Sequence, residues 1–265
     1  MFPLFAARWD RSDLTASLTL FTGLMALAFC LVHLFVGQLR FLDRNPRSRW
    51  LSFSGGVAVA YVFLHMLPEL GANAGAFHRA TGLDEVMAES AVYLLALFGV
   101  AAFYGTERAL KRSRGQDKDQ IEQARPESSV FWLHIAVSSL LMFVIGYLLN
   151  HREDTSLIGL ALYFFAMILH FVTADFGTRG DHPELYDDRG RWILSAATLA
   201  GWLLGTQLSV PEIAIGGLFA FVSGAIVLVV LKEELPEERK SFFLPFAGGT
   251  LLYAALVLSE QALSA

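Results

Sequence analysis

The sequence predicts an all-α integral membrane protein of eight transmembrane helices in a 3+2+3 arrangement, and three observations predict it. Apolar residues make up 55% of the 265 and charged residues 17%, against about 25% charged in soluble domains. Eight apolar stretches each approach the roughly 20 residues that cross a hydrocarbon core. One phrase also occurs twice: Gly56 through Leu67-Pro68-Glu69 aligns without a gap to Gly224 through Leu235-Pro236-Glu237, and Val227 and Val230 repeat Val59 and Val62. A soluble fold can hide one helix this apolar, but not seven or eight.

Taken in order, the first stretch, 14–38, is too long for a signal-peptide core and lacks a cleavage site, so it counts as a helix. It holds Cys30, the single cysteine, which excludes disulfides and Cys-rich metal sites. His33 in the same helix reads as a packed, hydrogen-bonded core residue. The second, 50–68, is expected to stop at Pro68-Glu69. The third, 89–107, leads into the hydrophilic segment 108–127, whose mixed charges make it a flexible linker inside an otherwise single membrane domain, 1–265. The fourth and fifth, 128–149 and 157–176, form a central pair. The sixth, 191–208, carries Gly201-x-x-x-Gly205, the small-residue spacing that lets helix backbones approach in lipid. The seventh and eighth, 212–232 and 241–259, complete the count.

Basic residues set the expected orientation, because cytoplasmic loops carry excess Lys and Arg. Arg40, Arg44, Arg47 and Arg49 follow helix 1, and a basic cluster from Arg108 to Arg125 follows helix 3. With Arg179, Arg189, Arg191, Lys232, Arg239 and Lys240, that face holds sixteen, against Arg8, Arg11, Arg79 and Arg152 on the other. Both termini are therefore expected on the non-cytoplasmic side of a plasma or bacterial inner membrane. The net charge of −5 adds little, since position matters more than sum.

The repeat extends past helices 2 and 7. Ala101-Ala102 with Glu107 and Ala109-Leu110 ends helix 3, and Ala254-Ala255 with Glu260 and Ala262-Leu263 ends helix 8. Gln38-Leu39 closes helix 1 and Gln207-Leu208 closes helix 6. With four helices between the matching spans of the two copies, the repeats run antiparallel, the inverted arrangement found in many secondary transporters.

Phe53-Ser54-Gly55-Gly56 through His65-Met66-Leu67-Pro68-Glu69 resembles helix 2 of the ZIP metal transporters, and Phe221-Val222-Ser223-Gly224 through Glu237 resembles their helix 7. The layout, exterior termini and long loop after helix 3 are similar as well. The resemblance implies a metal site on helices 4 and 5, where the family carries His-Asn-x-x-acid-Gly and His-x-x-x-Glu. Here His134 and His170 match. Ile135 stands in place of the Asn, Ser138 of the acid, Ser139 of the Gly and Ala174 of the Glu, with Asp175 one residue later.

Helices 4 and 5 run antiparallel, which puts His134 and His170 at similar depth. Ser138 shares His134's face. Asp175 lies about 140° around a regular helix from His170, and a one-residue π-bulge would align the two, as such bulges often do at functional sites. His134, His170 and Asp175, with Ser138 or water, would then suit Zn²⁺, Fe²⁺ or Mn²⁺. The competing expectations are neutral histidines bonded to Ser138, Thr173 or each other, and an Asp175 that ends helix 5 near the headgroups. His65 and Glu69, four apart near the outer end of helix 2, are placed to pre-bind a cation, unless they only close the helix. Glu233, Glu234 and Glu237 form the matching acidic end of helix 7.

Three functions follow as expectations. The first is a gradient-driven, ZIP-like permease for a divalent cation, with the metal as cargo, no resident cofactor and no enzymatic step. The second is a relative of that fold that carries another solute, senses or scaffolds. The third is an intramembrane metal hydrolase, although HExxH and serine-protease motifs are missing from the sequence. The expected partners are the lipid bilayer, the divalent cation and a second copy of the chain in a homodimer. Nothing points to nucleic acid.

Overall fold

A computed structural model describes residues 11–39, 49–116, 128–151, 156–234 and 242–264. All regular elements among them are helical. We number them α1 (Arg11–Phe35), α2 (Arg49–Thr81), α3 (Glu85–Gln116), α4 (Ser128–Leu148), α5 (Leu157–Asp181), α6 (Arg191–Gln207), α7 (Glu212–Glu234) and α8 (Phe243–Ser264). Seven of these are long and apolar enough to cross a membrane. α6, at 17 residues, is the exception, at the short end of the spanning range of about 17–25.

A lipid-facing helix satisfies its own backbone groups and can leave large apolar side chains bare. Leu20, Leu24, Leu27 and Leu31 form such a bare stripe along α1, and Leu244 on α8 is 80% exposed. Apolar patches this wide mark membrane or partner contact. The chain is thus a multi-pass helical membrane protein. Its interior is aromatic: Phe29 meets Phe171 edge-on at 4.9 Å, and both are fully buried.

Close packing is set by glycines. A methyl at Gly56 would strike the Phe246 carbonyl oxygen, so α2 lies backbone to backbone on α8. Gly224 brings α7 against Ala96 of α3 in the same way, and Gly201 brings α6 against Phe143 of α4. At one end of the bundle, Tyr147 donates to the Leu208 carbonyl and accepts from Val210 N–H, tying α4 to the α6–α7 connection.

The structure corrects the expected end of helix 2. Pro68 does not stop α2, which continues to Thr81 and ends where Gly82 turns left-handed at φ 70°. A proline inside a helix removes one hydrogen bond and its ring crowds the carbonyl four residues earlier, here Leu64. The chain absorbs this in a π-turn over Val62–Met66, where Leu67 N–H reaches back five residues to the Val62 carbonyl. The repeat's second Leu-Pro-Glu, at 235–237, lies outside the described residues.

Candidate functional site

Two polar features are built into the bundle, at opposite ends. The first is a cavity of about 140 Å³ at the end carrying the α2–α3, α4–α5 and α6–α7 connections. Its lining comes from α2, α4, α5 and α7; Tyr61 immediately precedes the π-turn and Met66 is its last residue. The walls are largely apolar and aromatic, with Tyr61, Tyr163 and Phe219 among them. The Tyr61 and Tyr163 rings lie 6.0 Å apart.

Several polar side chains interrupt these walls, among them His151 on the α4–α5 connection. Glu69 presents a carboxylate with Oε2 shielded from solvent, 3.9 Å from His65 Nε2. Asn73 donates to the Glu69 carbonyl and turns its Oδ1 toward Gly216 of α7. Ser223, fully buried on α7, has an Oγ without a hydrogen-bond partner among the described residues. At the mouth, Glu212 is mostly exposed and is held by Arg79 at 3.0 Å. A buried hydroxyl left unmatched costs roughly 1–3 kcal/mol, so Ser223 marks a place suited to a ligand or water.

The second feature is a buried pair. His33 Nδ1 of α1 lies 2.6 Å from Asp175 Oδ2 of α5, and neither residue is more than 5% exposed. Tyr186, from a π-turn over Tyr186–Gly190 that precedes α6, donates to the His33 carbonyl at 3.2 Å. Burial, and then the neighbouring Asp175 carboxylate, push the Tyr186 phenol far above its ordinary range. Arg191 donates to the Leu34 carbonyl, one residue along α1.

These placements redistribute the residues expected to form a metal site on helices 4 and 5. His134 is half-buried and its Nε2 lies 3.3 Å from Thr178 Oγ1. That hydroxyl already donates to the Ala174 carbonyl, so it accepts from the imidazole N–H. Thr178 is eight residues beyond His170, about 12 Å along the α5 axis. His134 is therefore not level with His170, and one ion cannot bridge them with ligand bonds of about 2 Å.

α5 stays a regular α-helix from Leu157 to Asp181, without the bulge that would align Asp175 with His170. Asp175 turns instead toward α1, and it is buried rather than set among headgroups. Ile135, where the ZIP pattern has Asn, is a core side chain packed against Gly190. Ser138 is half-buried on α4, one turn from His134. His170 is buried beside Phe171. Among the described residues, no three His, Cys, Asp or Glu side chains are grouped to hold a metal ion. His65 and Glu69 do come together, over a helix that continues beyond them. Glu237 lies outside the described residues, as do the side chains of Glu233 and Glu234.

The sequence reading missed the partnership of His33 with Asp175, and it missed Ser223 as a cavity residue. Both carried a signal: each is a lone polar group in an otherwise apolar span, which is costly unless partnered or used. No protein-family model matches the chain, and no curated protein matches it.

Proposed function

We propose that this chain is a gradient-driven membrane transporter of a small cation, built on a ZIP-like 3+2+3 scaffold of inverted repeats. The observation that carries the reading is the cavity beneath Glu69. It sits where helices 2 and 7 of the two repeats meet the central helices 4 and 5, and it combines a shielded carboxylate with an unmatched hydroxyl.

The packing supports the repeat. α8 lies on α2 as α3 lies on α7, and α1 packs on α6. Gly56 and Gly224, equivalent in the repeated phrase, do equivalent work in those two contacts. With the basic loops facing the cytoplasm, both termini and the Glu69 cavity face outward. Cargo then reaches the cavity from the exterior. The His33–Asp175 pair closes the cytoplasmic half, joining the first helix of one repeat to the central pair. Rocking the central helices against the repeats would open one end as the other closes, as alternating access requires.

A divalent metal as cargo is the second reading, favoured by His65 beside Glu69. The test is flux into proteoliposomes, with Zn²⁺, Mn²⁺, Fe²⁺ and small ammonium ions offered to wild type, Glu69→Gln and the double variant His134→Ala, His170→Ala. Glu69-dependent cation flux supports a transporter. Flux no greater than in empty vesicles, from folded protein, points to a scaffold or sensor.

A further inference from the structure

We infer that the cavity beneath Glu69 binds a small organic ammonium ion, which names the cargo class of the transporter and rests on that reading for its role. The charge of the ligand follows from Glu69. A shielded carboxylate inside an apolar chamber repels anions and gains from a cation that replaces lost water. His65 Nε2, 3.9 Å away and half-buried, is an ion-pair neighbour of this carboxylate beyond direct hydrogen-bond range.

The walls decide which cation. A bare divalent ion needs about four nitrogen, sulfur or oxygen ligands for Zn²⁺, and about six or more oxygens for Mg²⁺ or Ca²⁺. The lining's candidate ligands are the Glu69 carboxylate, Asn73 Oδ1, Ser223 Oγ, His151 on the α4–α5 connection, and Glu212 at the mouth, which Arg79 already holds. They are dispersed: among the described residues no three His, Cys, Asp or Glu side chains are grouped to hold a metal ion. Most of the remaining surface is hydrocarbon and ring, from Tyr61, Met66, Tyr163, Phe219 and Ile226. Such walls accommodate the alkyl part of an alkylammonium, while aromatic faces attract its charge through the ring quadrupole and Glu69 offsets part of the cost of taking that charge out of water.

Size and the unmatched hydroxyl agree. An apolar cavity of about 150 Å³ holds one benzene, or about six heavy atoms. The cavity here, about 140 Å³, therefore takes an ion of about that size. Ser223 Oγ, fully buried and without a partner among the described residues, offers an acceptor to an ammonium N–H, or a donor to a hydroxyl carried by the ligand. The π-turn bears on this geometry directly. By adding a residue to one turn between Tyr61 and Glu69, it offsets the angular relation that a regular α-helix would give the aromatic wall and the carboxylate.

The test uses the full-length protein in nanodiscs. Ethylammonium, tetramethylammonium, Zn²⁺ and acetate are titrated by calorimetry, and the same cations are followed as flux in proteoliposomes. Glu69→Gln and Ser223→Ala are compared with Asp188→Asn, an exposed carboxylate at the opposite end. Thermal melting and size-exclusion profiles confirm folding.

The expected result is saturable ammonium binding, weakened tenfold or more by Glu69→Gln, several-fold for ethylammonium by Ser223→Ala, and unchanged by Asp188→Asn. Zn²⁺ binding without ammonium binding overturns the inference and leaves the transporter reading standing. Ammonium binding that is equal in wild type and Glu69→Gln also overturns it. Glu69-dependent binding with no flux upholds the site and defeats the transporter reading. If Glu69→Gln fails to fold, Ser223→Ala and competition between ammonium and Zn²⁺ on wild type decide the matter.

Discussion

His33 on α1 and Asp175 on α5 meet at 2.6 Å where almost no solvent reaches either side chain. Tyr186, at the start of the Tyr186–Gly190 π-turn, lies eleven positions beyond Asp175 and far from α1 in sequence, yet it donates to the His33 carbonyl. Three segments are thus locked together at the Asp175 end of the bundle. Removing one partner of a buried pair costs about 3–5 kcal/mol, since the other is left uncompensated. His33→Ala and Asp175→Ala should each lower thermal stability markedly. The double variant should lose less than the sum, with a coupling of about 0.5–3 kcal/mol. Additive losses in the melting series would mean that the two residues do not act as a pair.

Pro68 is expected to matter for the cavity more than for the fold. Pro68→Ala restores a backbone N–H, and the π-turn over Val62–Met66 loses its steric cause. A regular helix would rotate Tyr61 by about 100° relative to Glu69. Cation binding should fall at least tenfold in Pro68→Ala, while melting temperature holds or rises. Binding equal to wild type would show that the bulge is not required.

Gly56 and Gly248 make a paired test of helix packing. Valine at Gly56 would collide with the α8 backbone, whereas nothing lies within 4 Å of a methyl at Gly248. Overpacking typically costs about 1–3 kcal/mol, so Gly56→Val should reduce both yield and melting temperature. Gly248→Val should leave both near wild type. Equal behaviour of the two variants would contradict the close α2–α8 contact.

Much of the fold was legible because lipid imposes simple rules on sequence. The eight apolar stretches match eight helices among the described residues, and all eight begin within about four residues of expectation. The Gly201-x-x-x-Gly205 spacing marked a true close approach, Gly201 against Phe143 and Gly205 against Tyr147. Pro68 misled because a proline that ends a helix and one that bulges it look alike in sequence. Only the surroundings, which bury Leu70, Asn73 and Phe77 beyond it, keep the helix going.

The site was harder to read, because it depends on azimuth between distant helices. His170 and Asp175 are five apart, and whether they share a face turns on one residue of bulge. The structure has that bulge on α2, and Asp175 faces α1. His65 and Glu69 were legible as a pair, since four residues bring side chains together on any helix. Ser223 was not, because one serine in an apolar span gives no hint of whether it faces lipid, a neighbour or a cavity.

The most direct test of the account is the accessibility of the cavity from the two sides of the membrane. Asn73→Cys, in a Cys30→Ser background that leaves no other thiol, is exposed in intact cells to a charged methanethiosulfonate that cannot cross the bilayer. The account predicts labelling from outside, slowed when a small ammonium ion occupies the cavity. Labelling only after the cytoplasmic face is opened would contradict the outward cavity and the proposed orientation together.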